Sequence, residues 1–505
     1  MNFLPFLCNN SRAIIVLLVM KRIVFYLLPF VLMTVACTDD DSFSTSRGDL
    51  LTFSQDTICM DTVFSTVPTS TYSFWAYNNN SDGLRLSQVR LLRGRQSGFR
   101  VNVDGSYLDN ATGGQVTGLE VRKRDSIRVF VELTSHQNYA DMPTLVEDQL
   151  VFTLESGVEQ KVNLRAWSWD ALLCHDVVVS RDSVIATNKP IVIYGGLKVD
   201  SGVTLTIKAP SKLYFHSGAA LEVFGRLAVK GSEGGDGNVV FRGDRTDKMF
   251  DYLPYDRVSG QWRGIRFHSS STGNSICGAD IHSADDGIVC DSAAFDSATV
   301  RLRLENVTIH NCKGTGLKAY NANIWMANCQ LTNTLGDCLA IYGGRAVVAG
   351  CTLAQFYPFD ADRGVALRFT NFVGGSDYPL YMVECYNTLV TGYGDDEVMG
   401  ETKDSTGVFN YYFSHCLLRT PAETDSAKMA PFDHVIWETS EDSIQGAAHF
   451  VKVDADRQEY DFHLDSLSTA RGKAVYLPLY PFDRDGVARK RSNPDIGCYE
   501  FRDSR

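Results

Sequence analysis

A repeat of 22 residues constrains this sequence more than any other feature. Val307 in "ENVTIHNCKGTGLKAY" is followed 22 residues later by Cys329 in "ANCQLTNTLGDCLAIY", and Cys351 in "AGCTLAQF" lies a further 22 residues on. Each repeat contains apolar runs that are too short for helices and are separated by Gly, Asn and Asp. A period of this length predicts a parallel β-helix, in which each repeat forms one coil of three short strands.

The cysteines follow the same repeat. Weaker copies of it appear in "VECYNTLV" and "SHCLLRT". Equivalent side chains of stacked coils lie ~4.8 Å apart, and a free cysteine is a small residue that buries well. The predicted column of free, inward-facing thiols comprises Cys329, Cys351, Cys385 and Cys416. Asn306 and Asn328, which are also one repeat apart, predict an asparagine ladder at a turn.

The region before the repeats has a different pattern. From Asp49 to Asp170, apolar and polar residues alternate in short segments such as "FRVNVDG", "DSIRVFVEL" and "EQKVNLRAW". Such alternation, interrupted by turn residues, predicts an immunoglobulin-like β-sandwich over residues 49–170. These segments resemble the Ig-like modules that follow the lipid anchor in surface lipoproteins, which implies a spacer; the alternative role is carbohydrate binding. Residues 171–505 are assigned to the β-helix and its C-terminal cap.

The N-terminus resembles a bacterial lipoprotein signal peptide. "MKRIVFYLLPFVLMTVACTDDD" has two basic residues, an apolar run and Ala36 before Cys37. This implies translation from Met20, a signal peptide ending at residue 36, a lipidated Cys37 and a linker over 37–48. The alternative is a single uncleaved membrane anchor. "CTDDDS" resembles the acidic export signal of Bacteroidetes lipoproteins, which implies lipid anchoring to the outer membrane and exposure at the cell surface; the alternative is an ordinary solvated linker.

Two further segments resemble right-handed parallel β-helix proteins of the pectate-lyase-like superfamily. "GQWRGIRFHSSSTGNSICGADIHSADDGI" is similar to their W-x-G-I-x-F coil and the coil that follows it. Residues Pro494 to Glu500, "PDIGCYE", are similar to the terminal segment of exported members. The resemblance covers Cys174 to Phe501 and implies an all-β chain, with a right-handed solenoid whose open end is capped by the terminal segment.

The charge balance excludes one class of partner. The chain has 60 acidic and 48 basic residues, for a net charge of -12. Nucleic-acid binding needs clustered Lys and Arg, and the sequence contains no such cluster. No nucleic-acid partner is therefore expected, and contact with a membrane is expected through the lipid anchor alone.

Asp337 is the best candidate for a catalytic carboxylate. Its setting, "LGDCLAI", matches part of one motif of the pectin hydrolases with this fold, but the sequence lacks their G-H-G and R-I-K motifs. Aligning successive coils predicts one column of Asp286, Thr315, Asp337 and Arg363. The two aspartates would lie two coils, roughly 10 Å, apart, at the edge of the range for an inverting hydrolase. Asp337, Arg363 and Asp286 are the catalytic candidates, although Asp337 is expected to hold a turn.

Lyase chemistry and metal binding are alternatives. A lyase of this superfamily uses a basic residue beside a uronate, and the candidates are Lys318, Arg363 and Arg368. Ca²⁺, held by the acidic loop "GYGDDEVMGETKD", would be the cofactor of a lyase; otherwise no cofactor is expected. His282 and His310 align on adjacent coils, but no third ligand is in register. We therefore predict outward-facing surface histidines and no metal site.

A binding function without catalysis is a further possibility. The coil alignment predicts that Asp291, Tyr320, Tyr342 and Arg368 form one outward file, and aromatic faces beside polar groups hold sugar rings. The alternative is that the tyrosines stack only for stability. The sequence thus favours a non-catalytic glycan-binding, adhesive or scaffold protein, with a polysaccharide or a host or cell-surface glycan as partner. The alternative is a polysaccharide lyase or glycoside hydrolase that acts on uronate-containing polysaccharides.

Overall fold

The structure is a computed structural model that describes residues 42–94, 96–108, 113–232, 237–404 and 406–502. Almost all of the regular structure in these ranges is strand, accompanied by the short 3-10 helices Tyr255–Arg257, Ser426–Lys428 and Gly446–His449. The prediction of an all-β chain is confirmed. In the described ranges we find no helix with the length and apolar character needed to cross a bilayer. Cys37 and the predicted signal peptide lie outside these ranges.

The first eleven strands are antiparallel and form two sheets. They are β1 (Thr52–Phe53), β2 (Thr57–Phe64), β3 (Tyr72–Tyr77), β4 (Leu84–Leu91), β5 (Phe99–Val103), β6 (Ser106–Tyr107), β7 (Gln115–Val116), β8 (Leu119–Val121), β9 (Ser126–Leu133), β10 (Thr144–Leu154) and β11 (Glu159–Trp169). One sheet has the order β1-β3-β9-β5-β6, and the other has β2-β11-β10-β4-β7, with β8 also paired to β4.

Aromatic residues join the inner faces of the two sheets. Phe74 of β3 and Phe152 of β10 have ring centroids 6.5 Å apart, and Phe53 of β1 contacts both rings. In β9, Ile127, whose side chain is buried, alternates with the exposed Arg128, because successive side chains of a strand point to opposite faces. The described residues up to 58, together with 71–132 and 148–164, form one compact unit, and the remaining described residues form a second.

The chain from Leu172 onwards contains one large parallel sheet and three hairpins. Its strands are β12 (Leu172–Val179), β13 (Ser183–Ile185), β14 (Ile191–Val199), β15 (Thr204–Lys208), β16 (Lys212–Phe215), β17 (Leu221–Val223), β18 (Arg226–Lys230), β19 (Val239–Gly243), β20 (Lys248–Phe250), β21 (Leu253–Pro254), β22 (Ile265–Phe267), β23 (Asn274–His282), β24 (Ile288–Cys290), β25 (Leu302–Cys312), β26 (Leu317–Ala327), β27 (Gln330–Thr334), β28 (Leu339–Ala349), β29 (Thr352–Gln355), β30 (Leu367–Thr370), β31 (Phe372–Val373), β32 (Ser376–Asp377), β33 (Leu380–Tyr386), β34 (Leu389–Gly392), β35 (Val398–Glu401), β36 (Phe409–Ser414), β37 (Leu417–Arg419), β38 (Phe432–Asp433), β39 (Ile436–Glu438), β40 (Phe450–Asp454) and β41 (Glu459–Leu464). The hairpins are β20–β21, β31–β32 and β40–β41, and the other strands belong to the parallel sheet.

Strands of the parallel sheet pair with equivalent strands one coil earlier and one coil later. Ile309 of β25 is paired with Leu331 of β27, which is paired with Leu353 of β29. All three side chains are fully buried in the same core cluster. The observed register is the 22-residue step of the sequence, because each step returns the chain to the same inward position one strand spacing along.

The cysteine column differs from the prediction at one position. The amide of Cys329 contacts the Sγ atom of Cys351 at 3.4 Å, so these two residues stack as predicted. Cys385, however, is paired with Val348 in a different column. Thr388 takes the next place in the column, because the following residue, Leu389, pairs with Thr352. The loops of this coil contain extra residues, which the predicted alignment placed wrongly. Every cysteine in the described ranges is free.

The two asparagines of the predicted ladder both lie at turns, but their side-chain amides are not hydrogen-bonded to each other. Asn306 and Asn328 both have left-handed backbone angles, with φ of 54° and 50°, which asparagine tolerates better than most residues. The side-chain amide of Asn328 donates to the carbonyl of Phe482 at 2.9 Å, and its oxygen accepts from Arg489 at 3.0 Å. The amide therefore binds the C-terminal segment instead of the next asparagine.

The C-terminal segment lies along the side of the coils. The sequence had instead predicted that this segment caps the open end. The amide of Cys498 donates to Oγ1 of Thr352 at 3.1 Å, and the hydroxyl of Tyr499 donates to Gln330 at 2.9 Å. Outward-facing apolar residues of β29, β34 and β37 pack with this segment in a second core cluster. The prediction of an end cap is wrong, because these apolar side chains need a cover on the flank.

Candidate functional site

Asp337 links its coil to the next one. It lies between β27 and β28. Its Oδ1 atom accepts a hydrogen bond from the amide of Val365 at 2.9 Å, and its Oδ2 atom accepts one from Nε of Arg368 at 2.6 Å. Its side chain is 9 % exposed. Asp286 has the same arrangement on another coil, with the amide of Thr315 at 2.8 Å and Nζ of Lys318 at 2.7 Å. Both carboxylates are thus engaged with backbone and with a cation.

Replacing Asp337 with alanine is expected to lower the free energy of unfolding by about 2 kcal/mol. The substitution removes two hydrogen bonds to a mostly buried carboxylate and leaves Arg368 without its closest anion. The matched Asp286→Ala change is expected to cost less, about 1 kcal/mol, because Asp286 and Lys318 are both about a quarter exposed. Urea unfolding of both variants measures the difference. A larger loss for Asp286→Ala would contradict this ranking.

Arg363 does not belong to the predicted column. Leu339 pairs with Leu367, so the position one coil after Asp337 is Val365, 28 residues on. This coil is two residues longer than the alignment assumed. Arg363 lies in the preceding loop, where its guanidinium donates to the carbonyl of Tyr357 at 2.6 Å. The prediction that Arg363 aligns with Asp337 is therefore wrong.

The tyrosine file is also shifted at one end. Tyr320 and Tyr342 pair as predicted, and their rings stack at 5.0 Å with an angle of 16°. The next residue in this file is Thr370, whereas Arg368 pairs with Ala340 two residues earlier. Asp291, at the other end, forms an ion pair with Arg266 at 2.9 Å. Because the tyrosine rings face each other, each covers one face of its neighbour, which leaves less ring face for a sugar.

The groups proposed for a lyase have other partners. Lys318 and Arg368 are held by Asp286 and Asp337, as described above. In the acidic loop, the side chain of Glu397 points inward and accepts hydrogen bonds from the backbone amides of Gly394 at 2.7 Å and Ala366 at 2.9 Å. Burial raises its pKa to about 7, although these amides oppose the shift. The side chain of Glu397 therefore binds backbone amides inside the protein and is not directed towards a Ca²⁺ site on the loop surface.

A cluster of two histidines and an aspartate lies on a different face of the coils. His282 of β23 is in register with His310 of β25, and their rings stack at 4.7 Å. Asp280 shares their face because it precedes His282 by two residues in the same strand. Its Oδ1 atom lies 2.9 Å from Nδ1 of His282 and 3.2 Å from Nε2 of His310. The prediction that these are surface histidines without a third ligand is wrong: His282 is 5 % exposed.

A second aspartate holds the other side of His282. Asp256, in the 3-10 helix Tyr255–Arg257, has its Oδ1 atom 2.9 Å from Nε2 of His282, and Arg242 forms an ion pair with the same carboxylate. Burial alone would lower the pKa of His282, but Asp280 and Asp256 together raise it to about 9. The pKa values of both carboxyls are lowered, because the nearby cations outweigh the effect of burial.

We refer to the cavity beside this cluster as the histidine pocket. It has a volume of about 330 Å³ and is lined by Asp280, His282, His310, Thr332, Asn333 and Tyr460. The Oγ1 atom of Thr332 and the Oδ1 atom of Asn333 are buried and have no hydrogen-bond partner within the described part of the chain. These two oxygens are exceptions to the rule that buried polar atoms are hydrogen-bonded.

A second cavity, the Trp325 cleft, lies between the coils and the C-terminal segment. Its volume is about 290 Å³, and its lining includes Arg303, Glu305, Asn306, Trp325, Tyr480 and Phe482. The indole nitrogen of Trp325 donates to the hydroxyl of Tyr480, and the guanidinium of Arg303 lies 5.1 Å from the indole centroid. The Oδ1 atom of Asn306 is buried without a partner among the described residues.

The sequence predicted the coils that border both cavities, but it did not predict the cavities. The alternation in "ADIH" was the signal for Asp280, because residues two apart in a strand share a face. Asp256, Tyr460 and Tyr480 come from segments far away along the chain, and the repeat carries no information about where those segments pack.

Comparisons with known proteins give distant likenesses. No protein-family model matches the sequence, and no curated protein is similar to it. Solved structures that are similar in part include the following three. The first is a protein of unknown function from Porphyromonas gingivalis W83, with 11 % identity over 26 % of this chain and 50 % of that one and a TM-score of 0.18.

The second is a family 123 glycoside hydrolase from Clostridium perfringens, with 7 % identity over 24 % of this chain and 26 % of that one and a TM-score of 0.17. The third is the catalytic unit of a GH87 α-1,3-glucanase from Streptomyces thermodiastaticus strain HF3-3, with 14 % identity over 74 % of this chain and 90 % of that one and a TM-score of 0.24. Scores this low carry no argument about function.

Proposed function

We propose that this chain is a surface lipoprotein of the outer membrane that binds a glycan without cleaving it. In this proposal Cys37 carries the lipid, an Ig-like domain acts as the spacer, and a right-handed parallel β-helix presents the binding site. The signal-peptide pattern and the acidic "CTDDDS" segment support the location. The W-x-G-I-x-F resemblance and the coil-to-coil pairing support the β-helix.

The observation that carries the glycan proposal is the composition of the Trp325 cleft. Trp325, Tyr480 and Phe482 line a cavity that is large enough for a sugar ring. Aromatic side chains pack against the C–H faces of sugars, while polar groups at the edge bind the hydroxyls. The edge here provides Arg303, its ion-pair partner Glu305 at 2.9 Å, and Asn306.

Compared with the cleft, the tyrosine file is a less suitable platform. Tyr320 and Tyr342 cover each other, and the charged groups beside them, Asp337 with Arg368 and Asp286 with Lys318, are already paired. The cleft brings Trp325, Tyr480 and Phe482 into one cavity, whereas the file has two tyrosines that cover each other. We therefore place the primary glycan contact at Trp325, with the file as an extension for a longer chain.

Replacing Trp325 with alanine is expected to weaken glycan binding about tenfold, which corresponds to about 1.4 kcal/mol and lies within the range of about 0.5–1.5 kcal/mol for an aromatic contact. The full chain would be screened on a glycan array, and the affinity for the best ligand would be measured by calorimetry. Trp75→Ala, which removes an exposed tryptophan from β3, is the control and is expected to bind normally.

Three outcomes would count against this site. Unchanged binding by Trp325→Ala, or an equal loss in Trp75→Ala, would contradict the cleft. A loss in Tyr342→Ala combined with normal binding by Trp325→Ala would place the glycan on the tyrosine file instead.

A polysaccharide lyase or glycoside hydrolase acting on uronate-containing glycans is the second candidate. One observation favours it: Asp256 and Asp280 flank His282 in the histidine pocket, and glycosidic cleavage uses two carboxyl groups. Incubating the full chain with uronate polysaccharides and following reducing ends and the absorbance of unsaturated products tests this candidate. Turnover that disappears in Asp280→Asn would replace our non-catalytic proposal.

A further inference from the structure

We propose that Asp280, His282 and His310 bind a divalent transition-metal ion, such as Zn²⁺, at the wall of the histidine pocket. Each residue offers one ligand atom, and the three atoms lie within 4.8 Å of one another. One carboxylate and two imidazoles form a donor set that Zn²⁺ and related ions prefer, whereas Ca²⁺ and Mg²⁺ prefer oxygen alone. This site lies apart from the Trp325 cleft and does not depend on the proposed glycan.

The strand register places the ligands. His282 and His310 occupy paired positions of β23 and β25, so their imidazoles project side by side. Asp280 lies on the same face two residues before His282. The separations of 2.9 and 3.2 Å between its Oδ1 atom and the two ring nitrogens are close to the roughly 3.3 Å between ligands that bond to one tetrahedral ion at about 2.0–2.1 Å.

Asp256 supplies a positioning contact of the kind that accompanies metal-bound histidines. Its carboxylate contacts Nε2 of His282 on the side away from Asp280, and Arg242 in turn holds that carboxylate. Such a contact selects the tautomer and the orientation of the ring, so that Nδ1 is directed towards the other two ligands. Asp256 is therefore a positioning residue that does not itself bind the ion.

The pocket leaves room for a further ligand. An ion held by three protein groups keeps a fourth position for water or for an oxygen of a bound molecule. The histidine pocket provides about 330 Å³ next to the three ligands. Thr332 and Asn333 also line this pocket, and each has one buried side-chain oxygen without a hydrogen-bond partner among the described residues. The open position suits a polar ligand that contacts the ion and the pocket together.

A second histidine cluster provides a control within the same chain. His415, Asp433 and His434 also lie close together. The side chain of His434 is 72 % exposed, and Nδ1 of His415 contacts the hydroxyl of Ser414 at 2.9 Å. This cluster is not among the residues that line the histidine pocket or the Trp325 cleft. We expect no tight metal binding at this cluster.

The test is titration of the full chain with Zn²⁺ by calorimetry and with Co²⁺ by its visible absorption, after treatment with a chelator. We expect one ion per chain. His310→Asn should weaken binding by more than about 100-fold, Asp256→Asn by about 10- to 100-fold, and His415→Asn should leave it unchanged. Circular dichroism of the metal-free variants checks that they fold.

Several results would overturn the proposal. These are a dissociation constant weaker than about 100 µM for the parent chain, unchanged affinity in His310→Asn, or a loss of affinity in His415→Asn. If His310→Asn fails to fold, the same titration of Asp280→Asn decides the question, because unchanged metal affinity in a variant that lacks this ligand would remove the site. Glycan binding measured in the same variants reports on a different cavity, so the two proposals fail independently.

Discussion

Replacing Glu438 with alanine is expected to lower the free energy of unfolding by about 3–5 kcal/mol, among the largest effects of any single change in this chain. Glu438 ends β39, and its side chain is 2 % exposed. It accepts a hydrogen bond from Arg419 at 2.6 Å and lies 2.7 Å from Nε2 of His449. Removing it leaves a buried guanidinium and a buried imidazole without their anion, which is far more costly than losing an exposed pair.

Urea unfolding of the full chain measures this loss. Glu441→Ala is the matched control, because Glu441 is an exposed glutamate three residues away, and it should change stability by less than about 0.5 kcal/mol. Glu438→Gln should fall between the two, since it keeps an acceptor but not the charge. A loss of less than about 1 kcal/mol for Glu438→Ala would show that water replaces the carboxylate and that this network does not hold the last coils together.

The stability of the parent chain relative to Glu397→Gln is expected to fall by about 3 kcal/mol as the pH rises from 4.5 to 8. Burial raises the pKa of Glu397 to about 7 in the folded chain, well above its value in the unfolded chain. Between these two values the folded chain holds a proton that the unfolded chain releases, so stability is greatest at low pH and declines as this carboxyl ionises. Each unit of pKa difference corresponds to about 1.36 kcal/mol.

Unfolding by urea across this pH range, for both proteins, isolates the contribution of Glu397. The glutamine cannot ionise, so its own pH dependence records all other groups, and the difference between the curves belongs to position 397. The amides of Gly394 and Ala366 face both oxygens, so glutamine is expected to lower the absolute stability. That cost is independent of pH. A constant difference between the two curves would contradict a raised pKa.

The repeat predicted the coil register where its spacing is constant, and failed where loops add residues. Val307, Cys329 and Cys351 follow each other at 22 residues, and the strands around them pair with the same step. Arg363 and Cys385 lie in longer coils, where a single sequence does not show on which side of a strand the extra residues fall. An error of two or three residues there moves a side chain to another column.

The same distinction between residues inside and outside the regular repeat applies to the candidate sites. Tyr320 and Tyr342 were paired correctly from the repeat alone, and the alternation in β23 would have placed Asp280 beside His282. Asp256 and Tyr480 were not predictable, because they come from segments without the repeat. Their positions depend on which flank of the coils is apolar enough to need a cover.

By itself, the sequence determined that the chain is all-β, that residues 307–351 repeat at a step of 22 residues, and that small apolar residues of these repeats stack. These properties follow from local periodicity, which one chain displays in full. The tertiary structure alone decided that the C-terminal segment lies along the flank, that Glu438 is enclosed with Arg419 and His449, and that the histidine pocket and the Trp325 cleft exist. Each of these joins residues far apart in the chain, and such contacts are selected by burial and charge pairing, which leave no periodic pattern in the sequence.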